Sequence, residues 1–243
     1  MAKPLAVKTT LTAATIMRVV RAHASSAQTK ILRGFFKTAR GEYAAGDRFV
    51  GVMVPTARKI AAEFRALPFD ECKKLLHSSI HEARLIALFI LCDQFARGDK
   101  KTRAAIYKIY LANTTHINNW DLVDASAPHI VGKFLLTQNH APLFKLVRSK
   151  SLWERRIAIV ATHTFIRAGQ FQTTLQITEL LLHDSHDLIH KATGWMLREI
   201  GKRDENLLKT FLAAHGVHMP RATLRYAIEK FPKATRKKYL KTF

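Results

Sequence analysis

A basic residue opens a helix-like stretch at regular intervals along this chain. Arg84 begins R-L-I-A, Arg156 begins R-I-A-I, Lys191 begins K-A-T-G and Arg225 begins R-Y-A-I. The steps between them are 72, 35 and 34 residues, and halving the 72 lands on Trp120. Positions 84, 120, 156, 191 and 225 therefore form one register with a period near 35 residues. A chain that repeats on this scale does not close around a single central core. Each unit buries its apolar face against the next unit in line.

The repeating unit is helical. Apolar residues recur at helical spacing almost throughout, and no alternating apolar run lies between turn residues. The periodicity predicts helices at 11–23, 28–37, 56–66, 70–77, 80–96, 100–112, 119–136, 141–148, 152–168, 172–182, 187–201, 204–214, 221–230 and 234–240. Pro55 and Pro220 precede helices, Asp70, Asn118 and Ser185 are candidate caps, and Gly169 and Gly201 can close helix ends. Phe35 to Pro55 is too aromatic for a flexible linker and reads as an ordered loop. Paired helices at this period are the size of HEAT or TPR repeats. The expected fold is all-α, a curved α-solenoid of HEAT-like helix pairs, with residues 1–243 as a single domain.

Charge narrows the partner. Lys and Arg total 40 against 18 Asp and Glu, a formal charge of +22. Such a chain repels itself and calls for an anionic partner, either nucleic acid or an anionic membrane surface. Four of the five register positions are basic, and matched positions on stacked helices make a stripe that suits a phosphate backbone. The longest apolar run, Leu85 to Cys92, is far too short to span a bilayer. The first residues lack a signal peptide's apolar core, and two cysteines make no disulfide framework. A reducing cytoplasm is the expected compartment, with no membrane partner.

Residues four apart share a helix face. Adding four to the register joins Asp124 to Trp120 and Trp195 to Lys191. Trp120, Asp124, Arg156 and Trp195 then belong to three successive repeats and are expected to converge on one stretch of surface. Each alone has a plainer reading, a core indole or a solvated charge; the shared register is what favours a site.

The segments FFKTARGEY, GDRFVGVMVP, NNWDLVD, SLWERRIAIVATH, HKATGWMLREIGK and MPRATLRYAIEKFP, in this order, resemble the AlkD-type DNA alkylation repair glycosylases, which are built of HEAT-like repeats. The resemblance covers nearly the whole chain. It implies functional roles for Trp120 and Asp124 of W-D-L-V-D, Arg156 of W-E-R-R and Trp195 of G-W-M-L-R-E. Val54 departs from it, since the family often has Thr before this proline.

The implied activity is excision of positively charged N3- or N7-alkylated purines, such as 7-methylguanine and 3-methyladenine, from double-stranded DNA in base excision repair. Alkylation charges the base and weakens its glycosidic bond. Cleavage then calls for stabilisation of an oxocarbenium-like sugar and a placed water, which a carboxylate supplies. Asp124, Trp120 and Trp195 are the expected catalytic residues, the indoles holding a cation. Arg156 is expected to grip an adjacent phosphate through its planar fork, with Arg84, Lys191, Arg225 and Arg198 as further DNA contacts. A monomer without cofactor is expected, nucleoid-associated when bound to DNA.

His183, His186 and His190 beside Asp184 and Asp187 resemble a metal cluster superficially, but read better as a cap and basic surface. No zinc-finger spacing, no phosphate-cradling glycine loop and no nucleophile with a spaced base is visible. The competing function is a non-catalytic HEAT-repeat scaffold that grips nucleic acid without cleaving it. An adaptor for an acidic protein explains the charge but not the Trp, Asp and Arg register.

Overall fold

A computed structural model describes residues 11–243. The chain packs as two compact units, divided between Ile109 and Tyr110. Among the described residues there is no strand, only a lone parallel bridge between Arg48 and Ile80. Among the described residues no helix is long and apolar enough to cross a membrane.

The first unit holds α1 (Ala13–Ala22), α2 (Ser26–Phe35), α3 (Val54–Glu63), α4 (Phe69–Leu76) and α5 (His81–Arg97), and α6 (Lys100–Ala112) carries the chain onward. Thr12 and Ser25 cap α1 and α2 through their hydroxyls, and Pro55 sits in the first turn of α3. The apolar run of Leu85 to Cys92 is the middle of α5. That helix is buried on nearly every side, with α1, α3 and α4 packed against it. An all-round apolar helix of this length is a core element rather than a membrane span.

The loop between α2 and α3 is ordered, as expected, and a buried carboxylate holds it. Glu82, at 2% exposure, accepts hydrogen bonds from the backbone N–H groups of Val50, Gly51 and Val52, at 2.8 to 3.2 Å. Gly51 has φ near +87°, and a Cβ there would lie 2.2 Å from the Ser25 carbonyl oxygen, so only glycine fits. Asp47 of the same loop pairs with His81 at 3.1 Å and with Arg84. Phe49 stacks on His81, and Phe36 on Phe49.

The second unit continues with α7 (Trp120–Ser126), α8 (Lys133–Leu135), α9 (Ala141–Leu146), α10 (Leu152–Ala161), α11 (His163–Arg167), α12 (Gln172–Leu181), α13 (Asp187–Gly201), α14 (Glu205–His215), α15 (Arg221–Ala227) and α16 (Lys233–Thr242). Helices α7, α10, α13 and α15 pack in succession. They carry Trp120, Arg156, Lys191 and Arg225, so in this unit the 35-residue register is a row of neighbouring helices.

Two long helices expected from periodicity are broken. The 119–136 stretch becomes α7, a π-helical turn over Pro128–Gly132, and α8. Pro128 has no N–H to give, and Gly132 donates instead to the Ala127 carbonyl, five residues back. The 152–168 stretch divides at Thr162, whose hydroxyl bonds the Ile159 carbonyl. Capping also differs from expectation. Asn119 rather than Asn118 caps α7, His186 rather than Ser185 caps α13, and Asp70 lies inside the first turn of α4.

Candidate functional site

Asn119 has extended backbone, and its side-chain oxygen accepts from the N–H of Trp120, so Trp120 is the first residue of α7. Asp124 follows one turn later on the same face. Arg156 lies in α10, which packs on α7. The guanidinium meets the carboxylate edge on. Nε donates to Oδ1 at 2.9 Å and Nη2 donates to Oδ2 at 2.8 Å. The remaining nitrogen, Nη1, donates to the Leu188 carbonyl at the start of α13. One arginine thus ties three successive register helices together.

Exposure is uneven across the pair. The Arg156 side chain is 6% exposed and that of Asp124 is 20% exposed. The guanidinium is sealed in, and the Asp124 side chain is the more open of the two. Burial pushes the Asp124 carboxyl above its ordinary value, the charge and hydrogen bonds of Arg156 pull it back, and the nearby charge of Asp121 adds to the rise.

The expected meeting of four residues is realised in part. Asp124 and Arg156 are in direct contact, and Trp120 shares the helix face of Asp124. Trp195 lies seven residues beyond Leu188 in α13, a rise of roughly 10 Å along the helix. There it faces the ring of His163 in α11, with centroids 5.6 Å apart and planes inclined by 37°. A Cβ at Gly194, the residue before it, would sit 2.5 Å from the Thr223 carbonyl oxygen and the Tyr226 Cβ, so this glycine permits the close approach of α13 and α15.

The basic register residues divide by burial. Arg84 does not present an open guanidinium. Its side chain is 5% exposed, it pairs with Asp47, and it donates to the Ser78 carbonyl at 3.0 Å. A buried arginine with internal acceptors is a structural tie, and here Arg84 holds the loop through Asp47 instead of lying open on the surface. Arg156 has its fork filled by Asp124 and Leu188, so it too is held internally. Arg198 pairs with Glu229, and Lys191 lies 2.6 Å from Asp187 at the exposed start of α13. Arg225 is exposed, and among the described residues it has no ion pair.

Sequence reasoning missed several charged contacts. Arg155, beside Arg156, binds Asp184 through Nε at 2.6 Å and the carbonyls of Ser149 and Lys150. The doubled arginine of W-E-R-R was the available signal, since adjacent helix residues point in different directions. Of the histidine group, His186 accepts from the Leu188 N–H as a helix cap, and His190 contacts the Asp184 carbonyl.

The family model of DNA alkylation repair enzymes matches residues 16–231, the greater part of the chain. The chain belongs to the DNA alkylation repair enzyme family. A solved structure described as a "Predicted DNA alkylation repair enzyme from Enterococcus faecalis" is similar to this chain with a TM-score of 0.66. The two are 14% identical, and the match covers 87% of this chain and 98% of the other. At that identity the likeness speaks for the fold. No curated protein sequence matches closely enough to count as a relative. Membership in this family of DNA alkylation repair enzymes gives the chain a role in alkylation repair, with DNA as its substrate. The Asp124–Arg156 pair and its neighbouring indole are the features in which that chemistry is to be sought.

Proposed function

We propose that the protein is a DNA glycosylase that releases positively charged N3- or N7-alkylated purines, 7-methylguanine and 3-methyladenine among them, from double-stranded DNA. The observation that carries this reading is a carboxylate locked by two hydrogen bonds to a buried arginine, on a side chain that is still a fifth open to solvent.

An alkylated purine is a cation, and when its bond to the sugar breaks, the electron pair leaves with the base. The base becomes neutral and the positive charge passes to the sugar. A carboxylate already fixed in place opposes that charge without reorganising. Asp124 is given this role. Water then adds to the sugar's anomeric carbon and loses a proton, which the carboxylate can accept. Arg156 orients Asp124 and favours its ionised form. Trp120, half-buried at the head of α7, offers an indole face to the cationic nucleotide, and Trp195 is assigned a second such contact. Arg225 is the open register cation for the DNA backbone, with Lys191 and Arg198 held nearer to internal partners.

The same ion pair also fits a plainer function. As a tie between α7 and α10 it would serve a scaffold that grips DNA without cleaving it. Asp124→Asn separates the two. The enzyme reading expects DNA affinity to be kept or improved, because an anion has left a polyanion-binding surface. It expects single-turnover release of 7-methylguanine, followed by chromatography of the free base, to fall by roughly 10²-fold or more. Undiminished release by a folded Asn variant removes Asp124 from the chemistry. No release by the parent protein favours the scaffold.

A further inference from the structure

Trp195 and His163 form an aromatic pair that the sequence did not announce. Neither the indole nor the imidazole makes a hydrogen bond among the described residues, so each is held by packing and by the other ring. The two helices beneath them are in contact. The His163 ring lies 5.6 Å from the indole at an inclination of 37°, within the range of a favourable aromatic contact.

We propose that His163 is a positioning residue that sets the orientation of the Trp195 indole and, through it, the hold on a cationic base. This rests on the assignment of Trp195 to the glycosylase site. The chemistry follows from what the partner ring is. A neutral imidazole leaves the indole's π face to a ligand cation. An imidazolium would itself be a cation against that face, and would repel the charged base as well.

The surroundings keep the ring neutral. Burial pushes His163 below the ordinary histidine value. Glu199 of α13 opposes the shift, while Arg167 of its own helix and Arg203 and Lys202, just past the end of α13, reinforce it. Glu199 is largely spent on other cations, with Lys202 at 2.6 Å and Arg203 at 3.3 Å. Charged groups of the other elements packed on α11 are turned to different partners. Glu154 accepts from Thr114, Arg155 binds Asp184, Arg156 binds Asp124, and Glu179 lies 3.6 Å from His215. The π-helical turn adds His129, which is exposed.

A double-mutant cycle tests the proposal in the full chain. Single-turnover release of 7-methylguanine is measured for the parent, His163→Ala, Trp195→Ala and the double variant. His163→Ala is expected to slow release by about threefold to tenfold, the range one aromatic pair is worth. His163→Phe, which restores an uncharged ring, should recover most of it, with the affinity of both His163 variants for undamaged DNA unchanged. In the Trp195→Ala background, His163→Ala should cost nothing further. Additive losses, or no rescue by Phe, overturn the proposal. If Trp195→Ala alone leaves release unchanged, the failure belongs to the assignment of Trp195 rather than to the ring contact.

Emission from the indole distinguishes these cases without activity. In W120F/W153F, Trp195 is the sole indole, since the chain has 3 tryptophans. Its emission should fall as acid protonates His163, with a midpoint below the ordinary histidine value. That transition should vanish in His163→Phe. A transition that persists after the replacement refutes the contact.

Discussion

Arg156→Gln is the most informative single change in this protein. It removes both hydrogen bonds to Asp124 and the one to Leu188, and leaves a carboxylate in a mostly buried place without its cation. Breaking a buried pair costs roughly 3–5 kcal/mol. Asp124 keeps a fifth of its side chain in solvent, so water restores part of this, and about 2–4 kcal/mol of destabilisation at neutral pH is expected. For a chain of this size that is a fall in Tm of about 5–15 °C, measured by circular dichroism.

The loss carries a pH signature. In the parent, burial already raises the Asp124 carboxyl above its ordinary 3.8, and Arg156 is the principal group pulling it back. Without Arg156 it rises further. An acid whose folded-state pKa lies above its unfolded value costs stability when it is ionised. That cost disappears as the pH falls below the unfolded value. The Tm deficit should therefore shrink as the pH falls from neutral towards the ordinary carboxylate value. Under the proposed mechanism base release requires the ionised form, so its acid limb should move to higher pH in the variant. The double variant R156Q/D124N, which removes the stranded charge, should regain part of the lost stability. If it is no more stable than Arg156→Gln alone, and the deficit is constant with pH, the carboxylate is not under the burial cost inferred here.

Asp124→Asn should show no loss of DNA affinity in a binding titration while base release falls by roughly 10²-fold. Equal losses of both would point to damaged structure instead. DNA affinity should fall steeply with salt, with a log–log slope of roughly −0.9 for each phosphate neutralised. Arg225→Ala should reduce that slope by about one contact, whereas Arg84→Ala should lower thermal stability and leave the slope unaltered. Glu82→Gln should loosen the loop it anchors. Amide hydrogen exchange at Val50, Gly51 and Val52 is expected to quicken, and unchanged protection there would deny Glu82 its role.

Much of the architecture was legible in the sequence because helical periodicity and a 35-residue spacing are local or repeated signals. The helix at Lys100–Ala112 and the helix at Asp187–Gly201 fall where the pattern places them. So does the succession of α7, α10, α13 and α15 in the second unit, since equivalent positions in a repeat meet equivalent neighbours. Residue type and register also singled out Asp124, Arg156 and the two indoles, and of these Asp124 and Arg156 are in direct contact.

What each charge touches was decided by tertiary structure. Sequence presented Arg84, Arg156, Lys191 and Arg225 as equivalent cations. Folding buries the first two against Asp47 and Asp124, sets Lys191 beside Asp187 on the surface, and leaves Arg225 open. The break at Pro128 and the seven-residue offset of Trp195 from Leu188 determine which groups meet. The His163 contact depends on α11 lying against α13. Periodicity records which face of a helix is apolar. It carries no information on the partner across the interface, because that partner is 30 or more residues away and is set by how two helices dock.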